Sequence, residues 1–301
     1  MDRFDAMRVF CRIVERRSFT RAAEDLGLPR SSVPDSVKEL EARLGARLLQ
    51  RTTRHVSPTL DGEAYHQRCL RLIADLEDAE SAFAGAKPRG PLHVAVHGTL
   101  ASHFVLPHLP GFLAEYPGIE PFFGEGDRYA DLVREGFDCA IRVGSLADSE
   151  LVARRLATLE ETTCASPSYL ARHGVPEGVD DLEGGHRMVG FRSSATGAVL
   201  PLEFAVAGKV RHVALPSSVT VSGAETYKAA ARAGLGLIQV PRYRLEEEFR
   251  RGSLVPVLEE TPPAPTPVSV VYPRAKHLSP RLRVFIDWLA GRFRAGAAAA
   301  G

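Results

Sequence analysis

Between residues 60 and 86, apolar side chains recur in alternating steps of four and three, at Tyr65, Cys69, Leu72, Leu76, Ala79, Phe83 and Ala86. Such steps keep side chains on one narrow stripe of an α-helix, and three heptads of them make the a/d seam of a helix that packs on another helix. The narrowness of the seam favours dimerisation over packing within the chain. Lys87, Pro88, Arg89, Gly90 and Pro91 then break the helix and form a linker. A long helix of this kind divides the chain into an N-terminal and a C-terminal part with different patterns.

The first 60 residues read as short helices with tight turns. Phe4, Met7, Phe10, Ile13 and Val14 recur at helical spacing, ending near Arg16 and Arg17. Ser18 or Thr20 offers an N-cap for a second helix through Ala22, Ala23 and Leu26, which Gly27 ends. A third carries Val33, Val37, Leu40 and Leu44 on one face and stops at Gly45. Two short helices joined through a glycine turn, the second bearing Arg30, Ser31, Ser32 and Lys38, make a helix-turn-helix. The β-branched and basic residues from Leu48 to Thr59 fit a two-stranded wing with Arg51 and Arg54 at its tip and Pro58 at its exit. Residues 1–60 carry 12 Lys/Arg against 8 Asp/Glu, whereas the whole chain has a net charge of only +1. The excess positive charge therefore sits where a polyanion would be met.

Beyond residue 91 strands and helices alternate. Strands are expected at 92–96, 119–123, 139–143, 162–165, 188–191, 219–221, 237–240 and 268–272. Helices are expected at 104–116 (with Leu106, Leu109, Phe112 and Leu113 buried), 129–135, 224–233 and 281–294, and an Ala-Gly-rich frayed tail at 295–301. This βα alternation argues for parallel sheets with helical cover, in one or two α/β lobes. With 45% hydrophobic and 25% charged residues, a chain of 301 residues can bury two or three real cores.

Several function classes have no support. Asp2, Arg3, Asp5 and Arg8 interrupt any signal-peptide core, and no run of about 18 apolar residues suggests a membrane span, so a cytoplasmic location is expected. Cys11, Cys69, Cys139 and Cys164 are scattered and read as buried reduced thiols. His93, His97, His103 and His108 cluster in sequence, but without Cys or carboxylate at ligand spacing no metal is expected. There is no G-x-S-x-G elbow, phosphate-binding loop or G-x-G-x-x-G, and no catalytic residue or cofactor is assigned.

Ordered along the chain, a set of motifs resembles the LysR-type transcriptional regulators. They are Ser18-Phe19-Thr20-Arg21-Ala22-Ala23-Glu24-Asp25-Leu26-Gly27-Leu28, then the stretch from Leu40 through Arg54, and Thr59 to Tyr65. Downstream come Leu106-Pro107 with Phe112 to Pro117, the stretch Asp131 to Gly144, and Ala233-Gly234-Leu235-Gly236-Leu237. The resemblance implies an α+β multidomain protein: a winged helix-turn-helix (1–59), a linker helix (60–87) and a two-lobed effector domain like a periplasmic binding protein (91–294). Lobe I would comprise 91–164 and 268–294, lobe II 165–267, with crossings near 163–166 and 266–269. It further implies a dimer of dimers on double-stranded DNA at an inverted-repeat operator, responding to a small-molecule effector, an organic acid or aromatic.

The DNA-facing residues expected are Thr20, Arg30, Ser31, Ser32, Asp35, Ser36, Lys38, Arg51, Thr53 and Arg54. A helix in the major groove presents short polar side chains to base edges, and wing arginines suit phosphates or the narrow minor groove. The family usually has Ser or Thr where this chain has Pro34. A proline is tolerated only in the first helical turn, so the helix is expected to start late, capped by Ser31 or Ser32. With Ser32 as cap, Asp35 would return a bond to it. Effector contacts are expected at Thr99, Leu100, Gly126, Asp127, Arg142, Val143, Ser222, Gly223 and Gln239. Free backbone N–H groups after the first strand, with the Thr99 hydroxyl, would suit a carboxylate. The rival reading is a small-molecule-binding or catalytic α/β domain with an N-terminal dimerisation arm; such an arm needs neither basic wing nor helix-turn-helix.

Overall fold

The computed structural model describes residues 1–51, 56–84, 87–125, 132–144, 146, 151–194, 196–274 and 278–299. It divides into two compact units, one holding Met1–His93 with Phe112–Phe122 and Ala275–Val284, the other holding the rest.

In the first unit, α1 (Arg3–Arg16) opens on Asp2, whose carboxylate accepts from the Asp5 N–H at 2.7 Å, and closes at Arg17 with φ +50°. Ser18 caps α2 (Phe19–Leu26), and Gly27 ends it at φ +64°, a left-handed conformation that glycine adopts without penalty. The third helix, α3 (Ser32–Leu44), ends the same way at Gly45. Phe10, Ile13, Ala22, Ala23, Val33, Val37, Leu40 and Leu48 form one core among these helices. The wing comes next, as β1 (Leu49–Arg51) antiparallel to β2 (Val56–Pro58). Glu41 fixes it to α3: one carboxylate oxygen accepts from both Leu48 N (2.8 Å) and Leu49 N (3.0 Å).

The linker helix is α4 (Leu60–Ala84). Its seam is not spent on one partner. Tyr65 and Cys69, with Leu70 and Ile73, pack on the core of the helix-turn-helix, while Leu72 is 46% exposed. A straight helix turns every 3.6 residues and drifts from a 3.5-residue stripe, so the early positions meet the chain's own core. Gly62 is where α4 presses on the wing, since a Cβ there would lie 1.9 Å from the Leu48 carbonyl oxygen.

The remaining elements are β3 (Gly90–Val96), α5 (Gly98–Leu100), α6 (Leu109–Glu115), β4 (Ile119–Glu125), α7 (Leu132–Glu135), β5 (Cys139–Val143), β6 (Leu151–Leu159), β7 (Glu161–Ala165) and α8 (Pro167–His173). After these come β8 (Gly190–Arg192), β9 (Val199–Leu200), β10 (Leu202–Val206), β11 (Lys209–Val213), β12 (Thr220–Val221), α9 (Ala224–Arg232), β13 (Ile238–Pro241), α10 (Glu246–Arg251), β14 (Val255–Val257), β15 (Thr266–Pro273) and α11 (Pro280–Ala299). One sheet has the order β4-β3-β5-β15-β6; a second has β13-β7-β14, a third β12-β8-β9, and β10-β11 form a hairpin.

Four expectations need correction. The sheets are mixed: β3 and β5 are parallel, but β15 runs antiparallel to both β5 and β6. The chain leaves the five-stranded sheet between β6 and β7, at Leu159–Glu161, and returns between β14 and β15; residues 163–166 lie past the first crossing, inside the second sheet or at its edge, and residues 266–269 lie past the second, inside β15. The single helix expected at 104–116 is instead a π-turn at Ala101–Val105, a 3₁₀ turn at Leu106–His108 and then α6. The wider π-turn holds Phe104 and Val105 in the core and turns Leu106 out to 45% exposure; of the four side chains expected to be buried only Phe112 is, Leu109 and Leu113 being half-buried. At the other end, the segment expected to fray is helical through Ala299. All four cysteines are buried and unbridged.

Candidate nucleic-acid interface and candidate ligand site

Helix α3 has two faces. Val33, Val37 and Leu40 are in the core, whereas Ser31, Asp35, Lys38 and Glu39 are exposed. Arg30 precedes the helix, 72% exposed and paired with Glu24 at 2.7 Å. An exposed pair of this kind contributes at most about 1 kcal/mol, so a phosphate can displace Glu24. Lys38 has no ion pair among the described residues. Thr20 stands exposed in the first turn of α2.

Two serines differ from expectation. Ser36 is only 6% exposed, and its hydroxyl donates to the Ser32 carbonyl at 2.7 Å. It lies one turn after Ser32 on the buried stripe, where a back-bond to the helix satisfies it and removes it from the DNA-facing set. Ser32 does not cap; its hydroxyl donates to the Pro29 carbonyl at 2.7 Å. The helix does begin late, at Ser32, with Ser31 at the cap position in helical conformation and without a side-chain cap bond. Pro34 therefore falls in the first turn, where a missing N–H leaves no carbonyl unserved. The expected return bond from Asp35 does not form, because Ser32 is already inside the helix. On the wing, Arg51 pairs through its backbone with Val56. Thr53 and Arg54 lie outside the described residues, as do Gly126 and Asp127 among the expected effector contacts.

After β3, the backbone N–H groups expected to cradle a carboxylate are occupied. Thr99 N donates to His97 Nδ1 (3.2 Å), and Leu100 N and Ala101 N both donate to the His97 carbonyl (2.9 and 3.0 Å). Leu100 itself is 1% exposed and belongs to the core. The Thr99 hydroxyl lies 2.8 Å from His97 Nδ1 and accepts from the Tyr243 hydroxyl at 3.2 Å. That last bond joins the residues after β3 to those after β13. Around it Tyr243 tilts against His103 and Phe104, with ring centres 4.6 and 5.0 Å away, and Phe104 stacks on Phe293 at 4.5 Å.

Gln239 is spent within the second unit. Its amide nitrogen donates to Thr163 Oγ1 (2.9 Å) and the Glu203 carbonyl (2.7 Å), and its amide oxygen accepts from Glu203 N (2.7 Å). Ser222 is exposed ahead of α9, and Gly223 occupies the helix cap position. Arg142 and Val143 end β5, Val143 41% exposed.

Four largely buried polar groups beside these residues were not singled out in the sequence: Glu161, Tyr227, Tyr243 and Arg244. Burial pushes the Glu161 carboxyl up to about 7, against the hydrogen bond from Thr266 and the Arg244 charge, with Glu203 adding to the rise. Burial also raises the Tyr227 and Tyr243 hydroxyls. The one signal in the sequence is position: Tyr243 and Arg244 come directly after β13, the strand that carries Gln239. Among the described residues no group of three or more His, Cys, Asp or Glu could hold a metal ion.

Comparison with known proteins agrees with both halves. Residues 4–63 match the model of the bacterial regulatory helix-turn-helix protein, lysR family, and residues 85–294 match that of the LysR substrate binding domain. The uncharacterised HTH-type transcriptional regulator YhjC of Escherichia coli K12 is 38% identical over 293 residues, covering 97% of this chain and 98% of its own. An HTH-type transcriptional repressor of Pseudomonas aeruginosa is 36% identical, over 96% of this chain and 92% of its own. The solved structure of CrgA, a LysR-type transcriptional regulator from Neisseria meningitidis, aligns with TM-score 0.59 and 33% identity, over 96% of this chain and 98% of that one.

Proposed function

The chain belongs to the LysR family of DNA-binding transcription regulators with an effector-binding domain, and we propose how its own residues serve those two tasks. Arg30, Ser31 and Asp35 meet base edges in the major groove, Asp35 as an acceptor for a cytosine amino group, and Lys38 meets a phosphate at its rim. Thr20 meets a phosphate beside them, and Arg51, Thr53 and Arg54 track the neighbouring backbone. The observation that supports this reading is the two-faced α3, with Val33, Val37 and Leu40 buried behind an exposed polar row. The protein acts in the cytoplasm as a regulator rather than an enzyme, as a homotetramer on an inverted repeat, with the later seam positions of α4 pairing between copies.

A small organic acid or aromatic effector binds between the two lobes, near Thr99, Arg142, Val143, Ser222 and Gly223. Gln239 braces the strands behind it. The Tyr243–Thr99 bond links residues of both lobes, so an effector that competes for it alters how the lobes meet and hence the spacing imposed on DNA.

A gel shift of the full chain with its own upstream region tests the DNA reading. Affinity should fall steeply with salt, and Lys38→Ala should reduce the log–log slope by about 1 on every sequence that binds. Salt-independent binding, or none, would refute it.

A further inference from the structure

Arg244 adjoins Tyr243, and only a tenth of its side chain is exposed. Its Nη2 donates to the Ala224 carbonyl at 2.8 Å, at the start of α9. Its Nε is buried and has no hydrogen-bond partner among the described residues. The Glu225 carboxylate, 68% exposed, reaches only to 4.0 Å. A buried guanidinium is costly unless its fork of donors is satisfied, so an unmatched Nε–H marks a place for an acceptor from outside the chain.

Glu161 is the strand partner of Pro241, three residues before Arg244, and Arg242 N donates to the adjoining Glu160 carbonyl at 2.8 Å, so the carboxyl lies where the Arg244 charge acts on it; among the described residues no ion pair within 4 Å joins the two. Glu161 takes a hydrogen bond from Thr266 and Arg244 gives one to Ala224, which leaves the Arg244 Nε–H as the donor without an acceptor among the described residues.

Resting on the effector reading, we propose that Arg244 anchors the effector, a small organic monoanion, by donating its free Nε–H to the effector's carboxylate. The planar guanidinium edge matches a carboxylate, which a point charge such as lysine does not. Tyr243, one residue away, carries the bond to Thr99, so the anion arrives beside the contact between lobes. Glu161 accommodates the added negative charge by taking up a proton. Burial already holds that carboxyl up to about 7; Thr266 and Arg244 lower it, Glu203 raises it, and the Tyr227 and Tyr243 hydroxyls feel its charge. An anion next to it raises it further. Affinity is therefore greatest below pH 7 and falls as pH rises, by up to about tenfold per unit, until the bound-state value is passed.

Titration calorimetry on the full-length protein with acetate and benzoate, against acetamide and benzamide of matching shape, tests this. At least one acid should bind where its amide does not, with net proton uptake read just above pH 7, where the free Glu161 is ionised, by repeating the titration in buffers of different ionisation enthalpy. Arg244→Gln should weaken that acid at least about tenfold, and Glu161→Gln should flatten the pH dependence. Acid binding to wild type without proton uptake refutes the pairing with Glu161 even if Arg244→Gln does not fold. Acid binding retained within twofold in a folded Arg244→Gln refutes the anchor while the effector reading survives. Amides binding as well as acids refute the monoanion. Failure of all four probes on wild type overturns the proposal, and a failure shared by a wide panel of uncharged metabolites would count against the effector reading itself.

Discussion

Replacing Glu41 by alanine removes the acceptor that ties the recognition helix to the wing. Two N–H groups, those of Leu48 and Leu49, converge on one of its oxygens, and both residues are nearly inaccessible, at 2% and 5% exposure. A buried donor left without a partner costs about 1–3 kcal/mol, and a charged acceptor strengthens each bond. Partial access of water at the half-exposed Glu41 recovers some of this. The local opening free energy should drop by about 2–4 kcal/mol, and by about half that for Glu41→Gln, which keeps a neutral oxygen. Since each 1.4 kcal/mol is a factor of ten, amide hydrogen exchange across Leu48 and Leu49 should quicken by roughly 30- to 1000-fold in the alanine variant. The full chain should be used, because α4 packs against the same wing. Exchange within threefold of wild type in Glu41→Ala would show that the wing is held by something other than this carboxylate.

Gly62→Ala should disable the N-terminal unit, since its Cβ would meet the Leu48 carbonyl oxygen at 1.9 Å and backbone must shift. The cost is about 3 kcal/mol or more. DNA binding should be lost while fluorescence of Trp288, the only tryptophan, stays native; wild-type affinity would contradict this. Pro34→Ser should change melting temperature and DNA affinity little, within about 0.5 kcal/mol, because a first-turn N–H has no helical partner to gain. A gain above about 1 kcal/mol would mean that the proline strains α3.

Much of the fold was legible because local chemistry dictated it. Gly27 and Gly45 end their helices as left-handed caps, Ser18 starts one, and the strand at Cys139–Val143 has the bounds its apolar run announced. Where sequence reading failed, tertiary partners decided. The strand Leu151–Leu159 carries Arg154 and Arg155 without clean alternation and owes its place to pairing with Thr266–Pro273. A π-turn shifted the face of the residues around Leu106. Ser36 has the side chain of a DNA contact but the helical position of a core residue. Gln239 and Arg244 illustrate the same limit at the proposed ligand site, because only the fold reveals that the glutamine's amide is committed and that the arginine's Nε has no partner among the described residues.

Dimethyl sulfate footprinting of the full-length protein on its operator asks directly whether α3 occupies the major groove. The reagent modifies guanine N7 in the major groove and adenine N3 in the minor groove. Protection of guanine N7 at two half-sites separated by whole helical turns, weakened evenly by Lys38→Ala and unaffected by Ser36→Ala, is the result expected. Protection confined to adenine N3, with the guanines fully reactive under saturating protein, would place the helix elsewhere.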